Sequence, residues 1–380
     1  MRIEIKPEML RWARERAGKK LDSLAEKFPQ LPSWEKGIES PTMGQLERFA
    51  SAVHSPIGYL FLPRPPVETV PIPDFRTVGN KHLGHPSPDL LETIYVCQQR
   101  QEWYRGFART VGEKPLSFVG SVGIADNIEK VAANIRHAIS FDVEERRKTR
   151  TWMEALSQFI AQADDIGVLV MCSGVVMNNN RRPLDPDEFR GFAITDDLAP
   201  LVFINGKDTK SAQMFTLAHE LAHIWLGKSA VSDSRPTAIP KHEVEAWSNR
   251  VAAELLVPVE LFRNEYRPNT ELRDELRRLA GYFKVSTLVI LRRIYDIGGF
   301  SQNEFWREYD KELEFLIKVR KGPGGNFYLT QAARVSRRFA RSLVVSALEG
   351  RSSFTEAFRL LGVKKMTTFH KLGRSVGVAC

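Results

Sequence analysis

Cysteine is scarce. Cys97, Cys172 and Cys380 are widely spaced and odd in number among 380 residues, which argues against a disulfide framework and against a cysteine-based metal knuckle. Long apolar runs are missing too: no stretch approaches the roughly 20 residues that span a bilayer. The start, MRIEIKPEML, lacks the basic-then-apolar layout of a signal peptide. No membrane partner is expected, and the expected location is cytoplasmic. Internal repeats and low-complexity tracts are absent as well.

Excess charge is missing from most of the chain. The net charge is +9, and the stretch from Lys321 to Cys380, with eleven Lys and Arg against Glu349 and Glu356, accounts for all of it. A basic end of this kind is either a solvated face or a surface for a polyanion or an acidic protein. What remains is an ordinary composition, 43% hydrophobic and 27% charged, long enough for two or three domains.

Residues 7 to 62 read as short helices: PEMLRWARERAG, LDSLAEKF, SWEKG and TMGQLERFASAVH, the last with Thr42 as N-cap. Five prolines between Pro63 and Pro73 then make a semi-rigid, extended linker. Helical patterns run from Ser87 to about Ile166. The period changes at GVLVMCSGVV, FRGFAITD and APLVFING, short β-branched or aromatic runs bounded by turn residues, which predict a small sheet. The Asp196-Asp197 turn predicts a hairpin between the last two. Helices resume at Ser211, and KGPGGN opens the basic C-terminal piece. The fold class expected is α+β and mostly helical, a small sheet with active-site helices flanked by helical N- and C-terminal domains.

Within the first of the resumed helices, FTLAHELAHIWLG places His219 and His223 four residues apart, on one helical face, with Glu220 beside them. In this spacing two histidines bind a metal and the glutamate acts as general base. A pair of hydrogen-bonded core histidines is the other reading, and a third ligand from a second element decides between them. Glu245, in HEVEAWSNRVAAELLVP, is the leading candidate, with Asn249 on the same face; Glu243, His242 and Glu254 compete with it. A helix of this kind is similar to the active-site helix of zincins, and that resemblance implies that APLVFING, the strand just before it, presents an edge to an extended substrate.

MFTLAHELAHIWLG followed by EAWSNRVAAELLVP resembles the ImmA/IrrE family of zinc-dependent metallo-endopeptidases, and the resemblance extends back to about Ala155. It implies a Zn2+ cofactor held by His219, His223 and Glu245, with Glu220 as the catalytic base for attack of water on a peptide carbonyl. Ser248 stands where the family usually has Ala. Asn249 matches the motif's Asn; it either orients a ligand or packs, and packing or support is expected ahead of a chemical role. The implied substrate is a specific protein such as an XRE-type transcriptional repressor.

The N-terminal helices resemble an XRE-type helix-turn-helix module at Arg14, Gly18, Leu24, Ala25, Trp34, Glu35, Gly37, Pro41, Leu46 and Ala50. Only EKFPQLPS separates Ala25 from Trp34, about one helical turn short, and the missing turn falls where a recognition helix presents its base-contacting side chains. A protein-docking or dimerising role is therefore expected ahead of DNA binding.

In the C-terminal piece, Arg337, Arg338 and Arg341 lie on the polar side of one amphipathic helix. Lys364 and Lys365 lie in a loop of a second helix-turn-helix-like ending, with Thr367 capping the last helix. These are candidate contacts to DNA or to an acidic partner protein, and chains of this layout resemble the antitoxin or regulator partners of toxin modules. The domain organisation read from these breaks is 1–63, the XRE-like domain with a shortened recognition region; 64–86, the linker; 87–320, the ImmA/IrrE-like zinc peptidase domain; and 321–380, the basic helical domain. A second function class stays open, an antitoxin-like or transcription-regulating binding protein in which the zincin fold serves as scaffold.

Overall fold

The computed structural model describes residues 2–75, 77–78, 81–82, 85–232, 242–319 and 334–379. Two compact units emerge, Met1–Pro71 with Leu83–Tyr95 and Ile72–His82 with Val96–Cys380. The chain is α+β and mostly helical, with one four-stranded sheet. Among the described residues, no helix is long and apolar enough to cross a membrane.

The first unit contains α1 (Pro7–Arg16), α2 (Leu21–Ala25), α3 (Leu31–Glu35) and α4 (Met43–Ala52), followed by a 3-10 turn, Ile57–Phe61. Thr42 caps α4 as expected, in a reciprocal capping box with Gln45. Pro32 falls in the first turn of α3, where its missing N–H costs nothing, but the helix ends five residues after it starts. Leu10, Ala13, Leu24, Leu31, Trp34, Leu46, Phe49 and Ala50 form the core. Of the ten positions that match the helix-turn-helix pattern, Leu24, Trp34, Leu46 and Ala50 thus pack inside, and Gly18 and Gly37 sit at φ +62° and +70°.

In the second unit, α5 (Pro88–Val111) contributes its part from Val96 onward, and α6 (Ile128–Ala138), α7 (Val143–Lys148) and α8 (Trp152–Asp165) follow. A two-residue antiparallel pair, β1 (Thr77–Val78) and β2 (Lys81–His82), precedes them in the chain. The main sheet consists of β3 (Leu169–Ser173), β4 (Gly191–Ile194), β5 (Leu201–Asn205) and β6 (Ala230–Ser232), in the order β3-β5-β4-β6. The expected hairpin is present: β4 and β5 are antiparallel, joined through the Asp196-Asp197 turn, in which Asp196 Oδ1 accepts hydrogen bonds from the backbone of Leu198 and Ala199.

One expectation is corrected. β5, the strand APLVFING, is not an edge: it pairs in parallel with β3 and antiparallel with β4, so both its flanks are used. The edges are β3 and β6. β6 had no sequence signature because three residues are too few to establish a period.

Between the strands runs α9 (Lys210–Leu226), capped by Thr209 and stopped by Gly227 at φ +70°. From Gln213 to Leu226 it is buried on every side, against the sheet, α8 and α10 (Glu243–Leu256). The last described helices of this region are α11 (Val259–Glu265), α12 (Leu272–Phe283), α13 (Thr287–Asp296) and α14 (Gln302–Val319). Three further helices, Arg337–Leu348, Phe354–Leu361 and Met366–Ser375, pack in the same unit, the first against α8 and β3. Lys364 and Lys365 do lie between the last two helices. Thr367 does not cap: the helix starts a residue earlier, with Lys365 in the cap position and no side-chain cap bond. The expected break at KGPGGN, with Phe327 and Tyr328, lies outside the described residues, as do Pro236 and Pro240 between α9 and α10.

Candidate metal centre

Helix periodicity turns His219 and His223 to one side of α9, and α10 returns antiparallel-fashion to lay Glu245 across them. The Glu245 carboxylate spans both rings, with Oε2 at 3.3 Å from His219 Nε2 and Oε1 at 2.9 Å from His223 Nε2. The two Nε2 atoms are themselves 3.1 Å apart. All three side chains are buried, and their ligand-type atoms lie within 4.8 Å of one another.

The competing carboxylates are placed elsewhere. Glu243 and His242 are exposed at the start of α10. Glu254, at the far end, is tied to Arg293 at 2.7 Å and to the backbone N–H of Val259. Among the described residues, His219, His223 and Glu245 are the His/Cys/Asp/Glu group with metal-holding geometry.

The protonation pattern tests whether a cation fits. Asn249 sits one turn beyond Glu245, and its Oδ1 is 2.9 Å from His219 Nδ1. That oxygen accepts from an Nδ1–H, and in the neutral tautomer with this proton Nε2 is the free lone pair facing the other two ligand atoms. Burial lowers the pKa of His223, with the Glu245 carboxylate opposing the shift. Burial on its own would raise Glu245, but the two histidines hold it well below the usual carboxylate range. Two imidazole nitrogens and a carboxylate thus converge on one buried point, a donor set that suits a divalent cation.

Glu220 stands beside this cluster, fully buried, and among the described residues neither carboxylate oxygen has a partner at good hydrogen-bond geometry, Ser232 being the nearby hydroxyl. Burial first, then the negative Glu245, push its pKa well above the ordinary range, with the nearby Ser232 hydroxyl opposing the rise in part. A cation held by the neighbouring ligands would oppose the same shift and favour the ionised, basic form of Glu220.

Two contributors escaped the sequence reading. Ser232, on β6, places its hydroxyl 3.4 Å from Glu245 Oε1 and 3.5 Å from His223 Nε2. Gly191, on β4, makes room for α9: a Cβ there would lie 2.5 Å from Thr216 Cγ2 and 3.1 Å from Glu220 Oε1. A glycine inside a strand is a recognised sign of close approach, so Gly191 carried a signal; Ser232 carried none.

Residues 163–295 match the peptidase family model described as the IrrE N-terminal-like domain. This stretch runs from the end of α8 through the sheet, α9 and α10 into α13, so the IrrE-like match contains every residue of the cluster. It supports the ImmA/IrrE family and, with the His-His-Glu group, a metal-dependent peptidase. Residues 335–375, which include the last three helices, match a domain of unknown function, DUF8813. No curated protein matches the chain.

The basic candidates lie inside that second match and far from the IrrE-like cluster in sequence. Arg337 and Arg341 are exposed one turn apart, and Lys364 and Lys365 are exposed in their loop. Arg338 is engaged within the unit: its guanidinium pairs with Glu113 at 3.1 Å and also donates to the Tyr104 hydroxyl.

Proposed function

We propose that this protein is a cytoplasmic zinc-dependent endopeptidase that cleaves a specific protein partner, with an XRE-type transcriptional repressor as the leading candidate. The observation that carries the reading is the convergence of His219, His223 and Glu245 beside the buried carboxylate of Glu220. His219, His223 and Glu245 are the residues to hold zinc, and Asn249 fixes the His219 tautomer. Zinc in such a site acts as a Lewis acid toward a peptide carbonyl and lowers the pKa of water toward neutrality. Glu220 takes a proton from the attacking water and returns it to the leaving amine. Its burial excludes bulk water, which strengthens each of these charge interactions.

The terminal helices are read as partner-binding parts. The basic surface with Arg337, Arg341, Lys364 and Lys365 suits an acidic protein, such as a toxin encoded nearby, or DNA. In the first unit, α3 is only five residues long, which supports protein docking over base reading.

The test uses protein purified without chelator. Plasma emission should find about one zinc per chain in the parent and in Glu220→Gln, consistent with three protein ligands. Mass spectrometry of proteins encoded nearby, after incubation, should show a cut made by the parent and not by Glu220→Gln. Absence of zinc from the parent overturns the reading. Co-purification of a partner that neither form cuts would point instead to a binding protein of a toxin-antitoxin module.

A further inference from the structure

We infer that the outer edge of β6 is where an extended polypeptide strand is received beside the metal centre, and that the chain's own residues Pro73–Phe75 occupy this edge. The inference deepens the peptidase reading, and rests on it for calling the displacing strand a substrate.

Among the described strands, β6 pairs with β4 on one side only. On the other side, Val231 N–H donates to the Pro73 carbonyl at 2.9 Å, and the Val231 carbonyl accepts from Phe75 N–H at 3.0 Å. Together they make a parallel bridge between Asp74 and Val231. This is one step of the ladder by which extended peptides add to a sheet edge. The next residue of β6 is Ser232, whose hydroxyl approaches both Glu245 and His223. A strand at this edge is therefore paired one residue away from a side chain that touches two of the ligand-type residues.

Phe75 supplies the second contact. Its ring centroid is 4.7 Å from that of His242, which precedes α10 and lies three residues before Glu245. Ile72 is buried at the start of the segment. The occupant is thus held by the two elements, β6 and the beginning of α10, that also carry Ser232 and Glu245.

The composition of the segment limits how tightly it is held. Pro71 and Pro73 have no N–H to donate, so PIPDF cannot build a long ladder at this edge. An occupant that cannot extend the ladder is one that a longer strand can displace. Because both need the N–H and C=O of Val231, resident and incoming strands exclude each other.

The experiment reads binding, not cleavage, in the metal-loaded full chain carrying Glu220→Gln. The probe is a fluorescent peptide copying residues 71–78, titrated into this background alone, with Phe75→Pro, and with Ile72–Phe75 replaced by Gly-Ser-Gly-Ser. Phe75→Pro deletes the donor to Val231 and the ring; the second variant removes the whole occupant. Both should bind the peptide about tenfold more tightly, the factor expected if the edge is open about a tenth of the time. Hydrogen exchange at the Val231 amide should accelerate in both and slow again when peptide is added. Unchanged affinity in both variants, or a Val231 amide indifferent to them, overturns the inference. Tighter binding in a protein whose Glu220 parent cuts no polypeptide would uphold this edge as a strand site and overturn the peptidase reading instead.

Discussion

His219 Nδ1 lies 2.9 Å from Asn249 Oδ1, which joins a ligand-type residue of α9 to the helix that carries Glu245. The bond favours the tautomer that frees Nε2, so Asn249 would act on a bound metal through His219 without touching it. Asn249→Ala should lower metal affinity by roughly 10- to 100-fold, the usual cost of losing such a partner. Competition with a chromophoric chelator measures it. Asn249→Asp, which keeps an acceptor, should retain more affinity than Asn249→Ala. Parent-like affinity in the alanine variant would assign Asn249 to packing alone.

Gly191 makes the second prediction. The Cβ of Gly191→Ala would meet Thr216 Cγ2 at 2.5 Å and the Phe203 carbonyl oxygen at 2.8 Å, so α9 must lift from the sheet. Overpacking of this kind costs about 1–3 kcal/mol. The melting temperature should fall, and adding Thr216→Ser, which removes Cγ2, should recover part of the loss. Two additive substitutions would show that the contact does not matter.

The site was more legible in the sequence than the sheet around it, for a physical reason. His219, Glu220 and His223 are set by helix periodicity, a local rule, and Glu245 by needing a carboxylate on a helix one loop away. Strand order is not local. β5 looked like an edge because nothing within APLVFING reports that β3 arrives on its other side. Ser232 reaches the site from a strand of three residues, too short for a pattern. Helix caps fared by context: Thr42 caps with its Gln45 partner, while Thr367 lost the position because its helix begins at Met366.

Asp164 yields a pH dependence. It is buried at the end of α8, where its carboxylate accepts from the Ser336 hydroxyl and, at 2.7 Å, from the Arg338 backbone N–H, holding the start of the helix Arg337–Leu348. Burial pushes its pKa up to about 6, with those hydrogen bonds opposing the rise. A folded pKa above the unfolded value near 3.9 means that the folded state binds more protons between these limits. Stability from this group is therefore greatest below about pH 4 and declines as pH rises to about 6, by roughly 3 kcal/mol. Asp164→Asn should lose that decline. Urea denaturation of both proteins at pH 4.5 and 7 checks it; the same pH slope in both would clear Asp164 of the effect.

The first unit supplies the last prediction. Arg14 and Glu35 are joined by two hydrogen bonds, Nε to Oε1 at 2.7 Å and Nη2 to Oε2 at 3.1 Å, and both side chains are largely buried. The pair ties α1 to α3 across 21 residues of sequence, a job that needs the fork of arginine against a carboxylate. Arg14 and Glu35 are also two of the positions that resemble a helix-turn-helix module, and here they serve packing. Glu35→Ala leaves Arg14 with Glu15 and the Lys19 carbonyl, both at 3.3 Å, and should cost about 1–3 kcal/mol, whereas the double change Arg14→Met with Glu35→Leu should cost less, because it removes both halves of the pair. Denaturation of the full chain, followed by the fluorescence of Trp34 in the core of this unit, reads the difference. Equal losses in the single and double variants would mean that shape, not charge, holds the two helices together.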